Sequence, residues 1–280
     1  MGDLLYDRRA ILTVGTMRVR SQDSLRFRFT VDKNLKPEPN KAEIVIFNLN
    51  SFHQTQIDLL GTVPVQLEAG YSNATSVIFL GDLRTGFTTS EGPDDLTVIG
   101  SGDGEQAVRK SRVNISIAKG TNTDQVLKQI ALALGVKPGN LDDAARKIRS
   151  AFSGTGNLFT MGTVLSGSAY REMCAICKSL NLEWSIQDGK LQILERGKAL
   201  STEAIVLNKD TGLYGEPTID NKGIMSCTMA MQKDVFPGRI VLLQAERIKG
   251  QFRLEETSHK GDTREAGAGS WVIEAKGKRY

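Results

Sequence analysis

The stretch SLRFRFTV, residues 24–31, decides the fold class of this chain because apolar and polar side chains alternate along it. Successive side chains of an extended strand point to opposite faces, so the leucine, the phenylalanines and the valine share one face. The arginines and the threonine share the other. This period of two is typical of a half-buried β-strand, and it predicts a sheet with one face on a core.

The segments that follow extend this prediction to a whole β domain. KAEIVIFNL (41–49) predicts a strand with Ile44, Ile46 and Asn48 on one face. SFHQTQIDLLG (51–61) predicts a short helix that is capped by Ser51 and ends at Gly61. Three further strands are predicted from VPVQLEAGY (63–71), TSVIFLGDLRTGFTT (75–89) and, after a GPDD turn, LTVIGSGD (96–103). Residues 1–104 are therefore predicted to form one antiparallel β domain.

Between residues 105 and 200 the sequence pattern changes from mainly alternating to mixed helical and alternating. TNTDQVLKQIALALG (121–135) and AYREMCAICKSLN (169–181) have helical periodicity, and the glycine-rich stretch 153–168 lies between them. LEWSIQDGKLQILE (182–195) places an Asp188-Gly189 turn between two alternating strands, which is a strong hairpin signal. We predict a small α+β domain here.

The β pattern returns from residue 201 to residue 280. The predicted strands are IMSCTMAM (224–231), GRIVLLQAERI (238–248), GQFRLEETSH (250–259) and SWVIEAKG (270–277), with a Pro237-Gly238 turn after the first. Their order and spacing resemble the earlier strands, with Ile240, Phe252 and Trp271 matching Val65, Val77 and Leu96. Either an internal repeat or a chance likeness of two ordinary meanders explains this pattern. The fold class is predicted as α+β and mainly β.

Charge and composition exclude several classes of protein. The 280 residues include 36 basic and 32 acidic ones, for a net charge of +4, and no long basic run is present. This excludes a dedicated nucleic-acid binder but allows transient contact with DNA. The first residues, MGDLLYDRR, lack the apolar core of a signal peptide, so we expect a soluble protein made in the cytoplasm, without stable membrane association. Three cysteines in a chain of this size indicate a reducing compartment.

Cys174 and Cys177 have the CxxC spacing of metal and redox sites. A structural zinc needs two further ligands, whereas Cys227 and the two histidines are distant in sequence. Both thiols also lie in the middle of a predicted helix, on an apolar stripe with Tyr170, Met173 and Leu180. We therefore predict core packing for both cysteines, with a metal or reactive role as the alternative.

Other chemical candidates also have structural explanations. Asp94-Asp95 lies at a turn. Asp142-Asp143 lies at a helix start, where carboxylates interact favourably with the helix dipole. The stretch GSGDG (100–104) lacks the Lys-Ser/Thr of a phosphate loop and is predicted to be a flexible exit from a strand. His259, close to Ser258 and Asp262, raises the possibility of a nucleophilic triad, but no GxSxG elbow accompanies it. We predict a turn in which His259 and Asp262 bond the backbone. No catalytic, cofactor-binding or metal-site residue is predicted.

Several of these motifs together resemble one known family. Pro237-Gly238, GQFRLEE (250–256), HKGDT (259–263) and the Trp271 strand are similar to the second barrel of phage baseplate hub proteins. That group includes late control protein D and the N-terminal part of VgrG spikes. Residues 27–31, the segment 41–49 with its following helix, and Gly81-Asp-Leu resemble the first barrel of those proteins and of tail-tube subunits. The resemblance covers nearly the whole chain.

The resemblance implies two tail-tube-like antiparallel β-barrel domains, residues 1–104 and 201–280, that flank a small α+β domain at 105–200. It implies a non-enzymatic homotrimer in which six barrels join the six-fold tail tube to the three-fold spike of a contractile injection system. Implied partners are the tail-tube protein, a separate spike protein, other baseplate proteins, the tape-measure protein and DNA passing through the lumen. The implied location is the virion baseplate, after assembly in the host cytoplasm. Loops at 86–92 and 153–168 are expected to order on assembly.

Two other functional classes stay open at this point. A carbohydrate-binding or adaptor module would suit two β domains, although only Trp184 and Trp271 are available as tryptophan platforms. A tail-associated cell-wall hydrolase would require a convergent His/Cys/Asp site or paired carboxylates.

Overall fold

The structure is a computed structural model that describes residues 7–72, 74–151, 159, 161–265 and 270–280. Strands account for 52% of it and helices for 19%, so the predicted mainly-β class is confirmed. The residues group into two compact units. The β-unit lies within 1–34, 40–103 and 199–280, and the middle unit comprises 35–39 and 104–198. The division into three domains at residues 104 and 200 stays a prediction.

The N-terminal part of the β-unit follows the predicted order of strands. Its elements are β1 (Arg9–Val14), β2 (Met17–Arg20), β3 (Arg26–Asn34), β4 (Asn40–Phe47), α1 (Ser51–Leu59), β5 (Pro64–Tyr71), β6 (Ala74–Glu91) and β7 (Asp94–Asp103). β1 and β2 were not predicted, although Ala10, Leu12 and Val14 alternate with exposed or half-buried residues and are buried. The predicted antiparallel β region with one helix is present, with two more strands than expected.

The C-terminal part of the β-unit contains the four predicted strands and two that were not predicted. Its strands are β12 (Ile205–Leu207), β13 (Leu213–Ile219), β14 (Ile224–Ala230), β15 (Ile240–Gln244), β16 (Lys249–Asp262) and β17 (Trp271–Arg279), numbered after the eleven strands that precede them in the chain. The predicted Pro237-Gly238 turn is confirmed, since Arg239 N donates to Phe236 O at 3.3 Å across it. Gly238 has a φ of 95°, which a side chain would disfavour.

The strands of the β-unit pair into a single 13-stranded sheet. Its order is β13-β14-β17-β16-β3-β4-β7-β6-β5-β1-β2, with β15 pairing β16 and β12 pairing β15 beside this path. The pairs are antiparallel except β12 with β15, which is parallel. Within the described residues these pairings form an open path rather than a closed ring. The predicted antiparallel sheet is confirmed, and the two barrels stay a prediction.

One face of this sheet carries the core of the β-unit. Phe27, Phe29 and Val31 are at most 2% exposed, as the alternation in residues 24–31 predicts. Phe29 meets Trp271 of β17 edge to face, with ring centroids 5.3 Å apart. Burial of each large side chain of this kind contributes about 2–3 kcal/mol. The core therefore runs continuously from the N-terminal strands to the C-terminal ones.

Two details around α1 differ from the prediction. Asn50, not Ser51, caps the helix, because Asn50 Oδ1 accepts a hydrogen bond from His53 N at 2.9 Å. Asparagine and serine cap equally well, so the sequence did not discriminate between neighbours. Asn48 lies beyond β4 with a φ of 54°, and its side chain donates to Asp94 at 2.8 Å instead of continuing the buried face.

The predicted loop at residues 86–92 was wrong, whereas the predicted strand 75–89, which overlaps it, is present. Residues 86–91 form the end of β6 and pair with β7 up to the match of Glu91 with Asp94, which leaves Gly92 and Pro93 as a two-residue turn. Gly86 does not mark a turn: a Cβ there would lie 2.6 Å from Ile57 Cγ2 of α1. In the second predicted loop, 163–168 is a strand. Residues 153–158 and 160 lie outside the described residues.

The middle unit is the α+β segment that the sequence predicts. Its elements are α2 (Glu105–Lys110), β8 (Arg112–Ile117), α3 (Thr123–Leu134), α4 (Leu141–Ala151), β9 (Thr163–Ser168), α5 (Ala169–Ser179), β10 (Leu182–Gln187) and β11 (Lys190–Glu195). The predicted hairpin turn is confirmed, with positive φ at both Asp188 and Gly189 as a type I′ turn requires. Among the described helices, none has the length and apolar character of a membrane span.

Candidate functional site

The CxxC cysteines lie on α5 with the predicted apolar stripe. Cys177 is 1% exposed, and its Sγ lies 3.7 Å from Met173 Sδ. Tyr170, Cys174 and Leu180 are partly buried against the same core. Burial raises the pKa of the Cys177 thiol to about 12, so a nucleophilic thiolate is rare at neutral pH. No group of three His, Cys, Asp or Glu residues that could hold a metal ion occurs in the described part of the chain.

The two carboxylate pairs have the structural roles that were predicted. Asp95 accepts a hydrogen bond from Ser90 Oγ at 2.7 Å across the turn between β6 and β7. Asp142 and Asp143 lie in the first turn of α4, where their negative charges interact favourably with the helix dipole. Asp142 also forms an ion pair with Lys128 Nζ at 2.7 Å. Each pair is engaged in stabilising local structure.

The glycine-rich stretch 100–104 is not a flexible exit, so that prediction was wrong. Gly100 to Asp103 belong to β7, as the predicted strand 96–103 requires; all four pair with β4, and Gly100 to Gly102 pair with β6 as well. A Cβ at Gly100 would lie 2.5 Å from Thr85 Oγ1, which explains the glycine by close packing. Gly104 stands at the N-terminus of α2 with a φ of 76°.

His259 lies inside a strand, as the predicted strand 250–259 requires, and not in the predicted turn. It is 2% exposed in β16, between Val31 of β3 and Ile273 of β17. Burial lowers the pKa of His259 to about 3, and the nearby Lys33 charge acts in the same direction. The imidazole is therefore neutral at physiological pH and packed in the core, where a hydrolytic triad has no access to substrate.

Asp262 makes the backbone bonds of a turn, as predicted. Its Oδ1 accepts hydrogen bonds from the N–H groups of Arg264 and Glu265, each at 3.0 Å. The guanidinium of Arg26 binds both carboxylate oxygens, at 2.7 to 3.1 Å. Burial alone would raise the pKa of Asp262, but these hydrogen bonds hold it below its ordinary value.

The motif HKGDT (259–263) therefore joins β16 to β3. A Cβ at Gly261 would lie 2.1 Å from the Phe29 ring, so only glycine fits beneath it. Thr263 Oγ1 accepts a hydrogen bond from Phe27 N at 2.9 Å, and Thr263 N donates to Phe27 O at 3.0 Å. The most distinctive motif of the sequence is thus a junction between the N-terminal and C-terminal parts of the sheet.

The two parts of the sheet repeat one order of strands. We define the first half as β1-β5-β6-β7-β4-β3 and the second half as β12-β15-β16-β17-β14-β13, each in order of pairing. The outer strands differ, because β1 runs antiparallel to β5 whereas β12 runs parallel to β15. The other strands pair in the same sense in both halves. This gives the predicted repeat a structural basis.

A shared irregularity fixes the register of the repeat. Leu83 N donates to Val63 O at 2.8 Å, and a bulge follows between Leu83 and Thr85 of β6. Leu254 N donates to Arg239 O at 2.9 Å, and the same bulge follows in β16. Leu83 and Leu254 are therefore equivalent.

This register corrects the predicted alignment of the repeat. Val65 matches Val241, one residue from the predicted Ile240, and Leu96 matches Val272 rather than Trp271. Gly81, not Val77, matches Phe252. The four-residue error between Val77 and Gly81 is one that alternating strands invite, because an even offset keeps the same face, whereas the two one-residue errors exchange the faces.

One strand pairing has no counterpart within the chain, and two strand edges are therefore available for pairing with another chain. β3, at the end of the first half, pairs with residues 256–262 of β16. The equivalent edge of β6, residues 85–91, pairs in the described structure with β7 alone. β13, the equivalent of β3, pairs there with β14 alone. We call these the β6 edge and the β13 edge.

Both edges expose large apolar side chains. Phe87 on the β6 edge is 49% exposed, and Tyr214 and Ile219 on the β13 edge are 40% and 42% exposed. Unpaired strand edges with exposed apolar residues are sites of pairing with another chain. These edges are the candidate functional site, and sequence reasoning did not find them, because the edges depend on which distant strands pair.

Comparison with known proteins bears on the fold. The sequence matches no protein-family profile. It also matches no curated protein sequence. The structure, however, resembles a 43 kDa tail protein of prophage MuSo2 from Shewanella oneidensis, with a TM-score of 0.65 at 8% identity over 97% of this chain and 98% of that one. The tail protein from Neisseria meningitidis MC58 gives 0.58 at 12% identity, with 98% and 97% covered.

A third similar structure comes from a secretion system. The E. coli c3393 protein, a component of the type VI secretion system described as similar to the T4 tail proteins gp27 and gp5, gives a TM-score of 0.57 at 7% identity. The match covers 96% of this chain and 76% of that protein. Identities this low show the fold alone. The chain has the fold of phage tail and type VI secretion proteins.

Proposed function

We propose that the chain is a structural baseplate hub subunit of a contractile phage tail, in which three copies form a ring. The observation that carries this proposal is the repeated strand order, because each chain supplies two equivalent halves and three chains supply six. Such a ring matches a six-fold tail tube on one side and a three-fold spike on the other. The two halves correspond to the two tail-tube-like barrels that the resemblance implies.

Ring closure also accounts for the two available edges. A three-fold interface is heterologous, so one edge of each copy meets a different edge of the next. The β6 edge and the β13 edge form such a pair, and closure leaves neither exposed to pair with other chains. The junction inside one chain, between β3 and β16, then recurs between copies.

The sheet face opposite the core supports a passage for DNA. Lys260 lies 2.7 Å from Glu274, and Lys276 lies 3.6 Å from Glu256, all on this face. Positive charges that are paired in this way attract DNA phosphates weakly, which suits transit rather than binding. In the proposed ring this face lines the lumen.

The proposal includes the partners and the location of the ring. The partners are the tail-tube protein, a separate spike protein, neighbouring baseplate proteins and the tape-measure protein, in a virion assembled in the host cytoplasm. The role is mechanical and non-enzymatic. This agrees with the burial of His259 and Cys177 and with the ion pair that engages Asp262.

Native mass spectrometry of the purified chain tests the proposal, alone and mixed with the tail-tube protein. We expect a species of three times the 30.6 kDa chain mass. Electron micrographs of that species should show a ring with six similar lobes. A chain that stays monomeric at micromolar concentration, both alone and with the tail-tube protein, contradicts the proposal.

A further inference from the structure

We infer that β13 of one copy adds as an antiparallel strand to the β6 edge of the next copy, so that the partner of each edge is a second copy of this chain. The inference rests on the proposed ring and adds to it the two strands and their register. Its template is the pairing of β3 with β16 inside the chain.

The template has a defined register. Val31 lies opposite His259, and Thr30 lies opposite Lys260. Both members of the first pair are at most 2% exposed, so this row belongs to the core of the β-unit. Gly261 continues the ladder against Phe29.

The equivalent residues of β6 follow from the shared bulge. Leu83 matches Leu254, and both strands continue after the bulge without further irregularity against β7 and β17. Five residues beyond each leucine lie Thr88 and His259. Thr88 is therefore the counterpart of His259, and Thr89 is the counterpart of Lys260.

The equivalent residues of β13 follow by crossing the sheet one strand at a time. In the second half, Ile219 pairs with Met225, Met225 with Gly277, and Gly277 with Leu254. In the first half, the corresponding residues run from Val31 through Ala42 and Ser101 to Leu83. Ile219 is therefore the counterpart of Val31, and Thr218 is the counterpart of Thr30. By analogy with the pairs Val31–His259 and Thr30–Lys260, Ile219 would lie opposite Thr88 of the next copy, and Thr218 would lie opposite Thr89.

The chemistry of the edges agrees with this register. Ile219 is 42% exposed in the single chain, whereas its counterpart Val31 is fully buried against β16. Addition of β13 would extend the core row of the sheet and remove Ile219 from water. Phe87, on the other face of β6, would lie beside Thr218 of the added strand, at the diagonal spacing at which side chains of paired strands still interact.

One feature of β13 limits the length of this pairing. Its register against β14 shifts between Tyr214 and Thr218, where Gly215 has a φ of 66° and Pro217 has no N–H to donate. We expect the ladder to form in two short segments on either side of this bulge. A proline in an edge strand also disfavours indiscriminate pairing with other sheets.

Cysteine cross-linking of the double variant Thr89→Cys/Thr218→Cys tests the inference. The two positions are exposed in the single chain, and directly opposite residues of paired strands have Cβ atoms about 5 Å apart. With a short bismaleimide we expect covalent dimers and trimers on a denaturing gel. A mixture of the two single variants should give dimers, and each single variant alone should give neither.

Two matched variants control for register and reagent. Thr85→Cys/Thr218→Cys shifts one thiol by four residues, about 13 Å along the strand, and should not link. Thr30→Cys/Lys260→Cys copies the proposed pair inside one chain and should link within the monomer. Far-UV circular dichroism and the melting temperature establish that each variant is folded.

The outcomes separate this inference from the proposed function. The chain could be trimeric by native mass, with the Thr30/Lys260 pair linking and the Thr89/Thr218 pair not linking. In that case the assigned strands or their register are wrong, and the proposed ring is not contradicted. Linking by the shifted Thr85/Thr218 pair instead overturns the register. A chain that never forms a trimer contradicts both claims.

Discussion

Arg26 and Asp262, which lie 236 residues apart in sequence, form a two-oxygen ion pair across the junction of the two halves. Arg26 Nη2 lies 2.7 Å from Asp262 Oδ2, and Arg26 Nε lies 3.0 Å from Oδ1. The side chain of Asp262 is 3% exposed and that of Arg26 is 33% exposed. The ion pair therefore links residues that are far apart in sequence and meet only in the folded chain.

We expect Asp262→Asn to lower the free energy of unfolding by about 2 kcal/mol, because a partly buried guanidinium loses its charged partner. Urea denaturation at pH 7 measures the change. Asp58→Asn, at an exposed position of α1, is the control and should have an effect within about 0.5 kcal/mol. Equal effects of the two substitutions would show that the ion pair does not stabilise the junction.

The pH dependence of this contact has a definite sign. Because the folded pKa of Asp262 is below its ordinary value of 3.8, the contribution is fully present above that value and is lost as the pH falls further. The wild type and Asp262→Asn should therefore converge in stability in acid.

His259 gives a second dependence of stability on pH, at less acidic pH than that of Asp262. Its pKa is lowered from 6.5 to about 3, so between these values the unfolded chain binds a proton that the folded chain does not. Its contribution to stability is full above pH 6.5 and falls as the pH decreases, by about 1.4 kcal/mol per unit. We expect His259→Gln to remove about 2 kcal/mol of the stability change between pH 7 and pH 5.

Denaturation curves at the two pH values measure this difference, with His53→Gln on α1 as the control. The control should keep the wild-type dependence on pH. If His259→Gln keeps it as well, the imidazole is not the group that titrates on unfolding.

Gly261 should be intolerant of a methyl group. Gly261→Ala places a Cβ 2.1 Å from the Phe29 ring, and the resulting displacement should cost about 1–3 kcal/mol. Gly61→Ala is the matched control, because nothing lies within 4 Å of its Cβ position. Melting temperatures of the two variants test the claim, and a Gly261→Ala variant as stable as the control would contradict it.

The sequence predicted most strands of this fold because their signal is local. Phe27, Phe29 and Val31 alternate with polar residues whatever the rest of the chain does, and Asp188-Gly189 defines its turn by backbone preference alone. The same logic failed at Gly86 and Gly100. Glycine there permits close contact with Ile57 and Thr85 rather than a turn, and local sequence does not distinguish the two uses.

The candidate site depended on pairings that no local pattern encodes. His259 was predicted in a turn because of its polar neighbours, whereas pairing with Val31 places it in the core. The register of the repeat was set by the bulges after Leu83 and Leu254, which leave no trace in the alternation of residues. The available edges followed only once the whole strand order was known.

The last prediction concerns assembly through equivalent edges. Ile219→Lys on the β13 edge places a charge where the proposed interface buries an apolar side chain, and Phe87→Lys on the β6 edge removes the aromatic ring that would lie beside Thr218 of the added strand; the two positions are 42% and 49% exposed in the single chain. Each should weaken trimer formation at least tenfold, about 1.4 kcal/mol, with little change in the melting temperature of the monomer. Val206→Lys on β12, 41% exposed, is the control and should assemble normally.

Native mass spectrometry and the infectivity of phage that carry each variant are the two measurements. The pseudo-six-fold ring requires both edges, one from each half of the sheet, so the two substitutions should weaken assembly and lower infectivity together. If Phe87→Lys destroys both while Ile219→Lys leaves both intact, the second half does not take part in the ring. Residues 201–280 would then be an accessory domain, and the repeated strand order would have no role in matching three-fold to six-fold symmetry.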